Sequence, residues 1–142
     1  MVDQLSVFLE NESGRLAEVA HVLTRNAVNI RALALADMAE FGILRLIVDD
    51  TGKARRVLKE AGFTVGTTDV VAVVVPDQPG GMALILDTLQ VARINVEYMY
   101  AFVRKSGEQA IILFRIDEIE RGVAALERAG LSLLSPDQIH QL

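Results

Sequence analysis

The chain has 142 residues, 51% of them apolar, with a net charge of −5 and no cysteine; that length holds one ordinary domain or two very small ones sharing a core. The acidic balance, the dispersed arginines and the absence of tryptophan argue against nucleic acid as a partner, and without thiols there is no disulfide framework, no thiolate nucleophile and no Cys-ligated metal. The longest unbroken apolar run, residues 70–75, is far below the roughly 20 residues of a membrane-spanning helix, and the first residues show no basic stretch followed by an apolar core, so no membrane segment, no targeting peptide and a cytoplasmic home are expected.

In chain order, "DQLSVFL" (3–9) reads as a strand bounded by the polar loop "ENESG" (10–14). Leu16, Val19, Ala20, Leu23 and Ala27 then recur at helical spacing, with Ser13 as the expected N-cap. "VNIRALALADMA" (28–39) and "ILRLIV" (43–48) are the arms of a hairpin turned by "EFG". Asp49 precedes a second helix with Ala54, Val57, Leu58 and Ala61 on one face, closed by Gly62. The extended "FTVGTTDVVAVVV" (63–75) follows, giving the order β-α-β-β-α-β.

The same order is then written again. "LENESGRLAEVAHVLTRNAVNI" from Leu9 lies over "VPDQPGGMALILDTLQVARINV" from Val75 with an offset of 66, matching Gly14 to Gly80 and Asn29 to Asn95. "GILRLIVDDTGKARRVLKEAGF" lies over "AIILFRIDEIERGVAALERAGL" with the offset grown to 68, which matches Asp49 to Asp117 and Leu58 to Leu126; the two extra residues fall in the hairpin turn. The chain is therefore a tandem duplication, with repeats expected at 1–68 and 69–142.

The β-α-β-β-α-β order is the split βαβ, ferredoxin-like plan, an α+β fold with two helices on one face of a four-stranded antiparallel sheet. Right-handed crossovers set the strand order 4-1-3-2, so the strands at 29–39 and 95–104 are edges. Pairing these apolar edges side by side predicts one eight-stranded antiparallel sheet. Ala32, Ala34 and Ala36 stand where the second repeat has Tyr98, Tyr100 and Phe102, an alternation read as sheet packing.

Within a repeat, the loop and the strand that begins at Asn29 or Asn95 lie at opposite ends of the sheet. A two-fold pairing through the edges brings Asn11 towards Asn95 and Asp77 towards Asn29. Each resulting cleft has a helix N-terminus, whose free N–H groups favour a carboxylate, and a glycine, Gly14 or Gly80, that admits a ligand close to the backbone. Asparagine offers both donors and an acceptor for an amino acid, whereas Asp77 is an acceptor-only anion suited to an ammonium.

These residues resemble the ACT domain, a small regulatory module found with many enzymes of amino-acid metabolism. The resemblance spans essentially the whole chain and is strongest in "ENESGRLAEVAHVLTRNAVNI". In the serine-regulated phosphoglycerate dehydrogenase the pattern is Asn-x-Pro-Gly before the helix and Val-Asn-Ile after it, with paired asparagines holding the effector across an interface. Asn11 and Asn29 match it in the first repeat and Asn95 in the second, where Asp77 replaces the loop asparagine; Leu9 and Val75 replace a further polar position. The resemblance implies a stand-alone, non-enzymatic sensor of a free amino acid, a homodimer without cofactor, bound through Asn11, Gly14, Asn29, Asp77, Gly80 and Asn95. Its output would pass to a partner protein, an enzyme of amino-acid metabolism or a regulator.

Two rival readings use the same scaffold. A protein-interaction module would need no ligand. An acylphosphatase-like enzyme would want an Arg in a glycine-rich loop beside the first helix; Arg15 is so placed, but Gly81 stands at that position in the second repeat, and no nucleophile with an adjacent base is apparent. His21 and His140 lack companions at ligand spacing, so no metal is expected. Asp49 and Asp117, each just before a helix, read as caps.

Overall fold

The computed structural model describes residues 1–10, 12–37, 40–102 and 109–141. The elements are β1 (Val2–Glu10), α1 (Arg15–Arg25), β2 (Ile30–Asp37), β3 (Phe41–Val48), α2 (Thr51–Glu60), β4 (Thr64–Pro76), α3 (Gly81–Val91), β5 (Val96–Ala101), β6 (Gln109–Ile116), α4 (Ile119–Arg128), β7 (Ser132–Leu133) and α5 (Pro136–His140). They form two compact units, a first of residues 3–68 with 139–142 and a second of residues 1–2 with 69–138. Each is a βαββαβ arrangement, ordered β4-β1-β3-β2 in the first unit and β7-β4-β6-β5 in the second.

Two expectations are corrected by this topology. The described strands number seven rather than eight, because β4 is one continuous 13-residue strand that closes the first repeat and opens the second. The edges that begin after Asn29 and Asn95 do not pair with each other within the chain: among the described residues β2 is bonded to β3 and β5 to β6.

In the first unit, Leu5, Val7 and Leu9 of β1 and Leu44, Leu46 and Val48 of β3 face Val19, Val22 and Leu23 of α1 and Ala54, Val57 and Leu58 of α2. The second unit repeats this with Val71, Val73, Val75, Ile112, Phe114 and Ile116 under Ile85, Leu89, Ala125 and Leu126. Within each unit these two helices thus lie on one face of the strands. Val70, Ala72, Ile111 and Leu113 are buried too although their side chains alternate with that set, so strand segments buried on both faces read as continuous apolar runs.

The helix ends repeat as well. The N–H of Val28 donates to Leu23 O at 2.9 Å and that of Ile94 to Leu89 O at 2.9 Å, a Schellman closure with Ala27 (φ 56°) and Arg93 (φ 58°) in the left-handed position usually taken by glycine.

Candidate ligand site

Register places the candidate residues at the two ends of each sheet. Glu10 of β1 pairs with Phe41 and Asp37 of β2 with Gly42, so the loop at 10–14 shares an end with the close of β2. Ile30 pairs with Val48 at the far end, which is where Asn29 lies. In the second unit Pro76 pairs with Gln109 and Val96 with Ile116, which separates Asp77 from Asn95 likewise. Asn11 lies outside the described residues.

Among the described residues the two loops share their backbone hydrogen bonds. Glu12 N donates to Glu10 O at 2.7 Å and Gln78 N to Pro76 O at 2.9 Å; Glu18 N donates to Gly14 O at 3.0 Å and Leu84 N to Gly80 O at 3.1 Å. Gly14 (φ 91°) and Gly80 (φ 94°) are the N-caps, in a left-handed conformation and without a side-chain cap bond. Ser13 is therefore not the cap: the turn needs positive φ at its last residue, which glycine takes without strain. With no capping side chain, the first-turn amides after each glycine, such as those of Leu16 and Ala17, have no partner within the helix.

Asp49 and Asp117 are not caps either. Asn29 N donates to Asp49 Oδ1 at 2.9 Å and Asn95 N to Asp117 Oδ1 at 3.1 Å, while the N–H of each aspartate returns a bond to the asparagine carbonyl at 3.1 and 3.2 Å. The cap of α2 is Asp50, which accepts from Lys53 N at 3.1 Å. The aspartates fix the backbone of both asparagines and leave the exposed side-chain amides free of hydrogen bonds to described residues.

What the sequence reading missed is a groove of about 400 Å³ in the first unit, lined by Leu9, Glu10, Glu12, Arg15, Leu16, Leu35, Ala36 and Gly42. Arg15 Nη1 donates to Glu18 Oε2 at 2.6 Å, its Nη2 lies 4.0 Å from Glu10 Oε1, and its guanidinium carbon stacks 4.7 Å from the Phe63 ring centre. The signal was present in the repeat alignment, since Glu10, Arg15 and Ala36 stand over Pro76, Gly81 and Phe102. At the matching place in the second unit a Cβ on Gly81 would come within 2.6 Å of Pro76 O, so that loop is the tighter one. Among the described residues no cluster of His, Asp and Glu could hold a metal ion.

A family profile described as ACT domain pair matches residues 1–142. The crystal structure of a protein from Bacteroides thetaiotaomicron superposes with a TM-score of 0.94 at 39% identity, covering 99% of this chain and 96% of that one. The ligand-free regulatory subunit of aspartate kinase from Thermus thermophilus superposes with a TM-score of 0.65 at 15% identity over 89% of this chain and 91% of that one. The regulatory subunit from Thermus flavus gives 0.62 at 14% identity over 90% and 92%; at such identities the likeness is one of fold. No curated protein matches the sequence.

Proposed function

This chain belongs to the ACT domain pair family, whose members are typically ligand-binding regulatory modules rather than catalysts, and from that premise we propose that it senses a free amino acid and passes the signal to a partner protein. The observation that carries the reading is the repeated glycine-capped loop, which in both units starts a helix without a side-chain cap, a favourable place for a carboxylate. Asn29 and Asn95, held by their backbones with their amides exposed, are the second half of the site, and Gly14 and Gly80 admit the ligand. Asn11 and Asp77 are the loop groups proposed to meet its ammonium.

Because β2 is bonded only to β3 among the described residues, the partner for its other side is a second copy of this chain. Antiparallel pairing of two β2 strands sets the start of one against the end of the other, and so brings Asn29 of one copy to the loop end of its mate. Leu33 and Leu35, 55% and 53% exposed, would be covered. A ligand bridging two copies then stabilises the dimer by mass action, which is the means of signalling.

The test is thermal unfolding of the protein with each of the twenty amino acids at millimolar concentration. A ligand present at about a hundred times its dissociation constant adds about 2.7 kcal/mol, which raises the midpoint by several degrees. One selective shift that disappears in Asn29→Ala supports the reading; a flat panel overturns it. A flat panel would favour the interaction module instead, for which one observation speaks: α3 exposes Leu84, Leu86 and Val91 where α1 carries Glu18, Ala20 and Arg25.

A further inference from the structure

Among its described lining residues the groove of the first unit combines the carboxylates of Glu10 and Glu12, the guanidinium of Arg15 and an apolar wall. Leu9, Leu16 and Leu35 supply the wall, and Leu16 and Leu35 are about half exposed. Its volume of about 400 Å³ falls within the roughly 300–1,000 Å³ of small-molecule sites.

The duplication acts as an internal control on this arrangement. Glu10, Glu12 and Arg15 stand over Pro76, Gln78 and Gly81, so the charges of the described lining are absent from the second repeat. The space changes too: Ala36 and Gly42 stand over Phe102 and Ala110, small residues where the other repeat has larger ones. The supports of Arg15 go with it, since Glu18 and Phe63 stand over Leu84 and Leu131. A guanidinium, the acids that flank it, the ring beneath it and the space beside it are thus present together in one repeat and missing together from the other.

Holding the fold does not account for that set. The glutamates that pair with Arg15 have side chains 67% and 55% exposed, and ion pairs so open to water contribute little to stability. Among the described residues Arg15 Nε has no hydrogen-bond partner, and a guanidinium is a donor suited to a carboxylate.

We propose that this groove binds a free α-amino acid with an aliphatic side chain, with Arg15 joining the start of α1 on the carboxylate, Glu10 and Glu12 joining Asn11 on the ammonium, and Leu9, Leu16 and Leu35 receiving the hydrocarbon. The inference rests on the amino-acid reading above and adds the class of the ligand and the residue that selects it. An ionised side chain would be set against the leucines without a partner and would be disfavoured by its desolvation.

The experiment is isothermal titration of the full chain with leucine, serine and lysine, and with isovalerate and isoamylamine, which keep the hydrocarbon and one charge each. Leucine should bind, with isovalerate and isoamylamine about tenfold weaker or worse, since each lacks one charge-assisted hydrogen bond worth at least about that factor, and serine and lysine weaker because neither fills the apolar wall with hydrocarbon alone. Arg15→Gln should weaken leucine about tenfold and leave isoamylamine, which has no carboxylate, unchanged, a split that a structural role for Arg15 would not produce. Ala36→Phe, which installs the residue of the other repeat and leaves Arg15 in place, should abolish leucine binding. Equal leucine affinity in either variant overturns the proposal. Binding of serine or lysine in preference to leucine overturns it while leaving the sensor reading intact, and no binding by any amino acid overturns both.

Discussion

The loops before α1 and α3 have the same hydrogen bonds and the same glycine cap, yet one opens a charged groove and the other is closed tightly on itself. Gly14 and Gly80 differ by 3° in φ, while the next residue is a half-buried arginine in one repeat and a buried glycine in the other. The backbone of the duplication has been kept because a helix must start there. The side chains that project from it differ between the repeats, from the half-buried Arg15 to Gly81, where a Cβ would meet the Pro76 carbonyl. A common loop geometry is therefore evidence of a common scaffold, and the differing side chains are where the functional content lies.

Substitutions in the two repeats, read by chemical denaturation of the whole chain, test how far their packing and loops correspond. The largest effects belong to the cores. Leu58→Ala and Leu126→Ala, both at fully buried positions, should each cost about 3 kcal/mol; a large inequality would mean that the repeats differ in packing as well as in their loops. Next is Gly81→Ala, where the new Cβ would press on the Pro76 carbonyl and should cost about 1–3 kcal/mol. A neutral result would show the second loop to be as roomy as the first, where Arg15 already carries a Cβ.

Gly14→Ala and Gly80→Ala should cost about 1–2 kcal/mol each. Nothing lies within 4 Å of an added Cβ at either place, so the penalty is conformational and should be nearly equal in the two repeats. The smallest effect runs the other way. Ala27→Gly and Arg93→Gly relieve a left-handed conformation worth about 1–2 kcal/mol and incur the extra chain entropy of glycine, about 0.4–1 kcal/mol. Each should raise stability by less than about 1 kcal/mol, by a similar amount in both repeats.

The sequence by itself determined the order of elements, the duplication and the two hairpins. These rest on local matters: apolar spacing along a helix, alternation along a strand, and glycines that alone take positive φ cheaply. The loop glycines and the asparagines were legible for the same reason, since their repetition at a fixed offset survives in the one-dimensional pattern. The tertiary structure decided what depends on neighbours far apart in the chain. Asp49 and Asp117 look like helix caps until β3 and β6 bring them to asparagines 20 and 22 residues earlier. That β4 serves both repeats follows from how hydrogen-bonding edges are shared, which no spacing of residues records. The groove exists because α1, β2 and β3 converge, so that Arg15 comes to lie beside Ala36 and Gly42, whose small size has meaning only when something could occupy the space they leave.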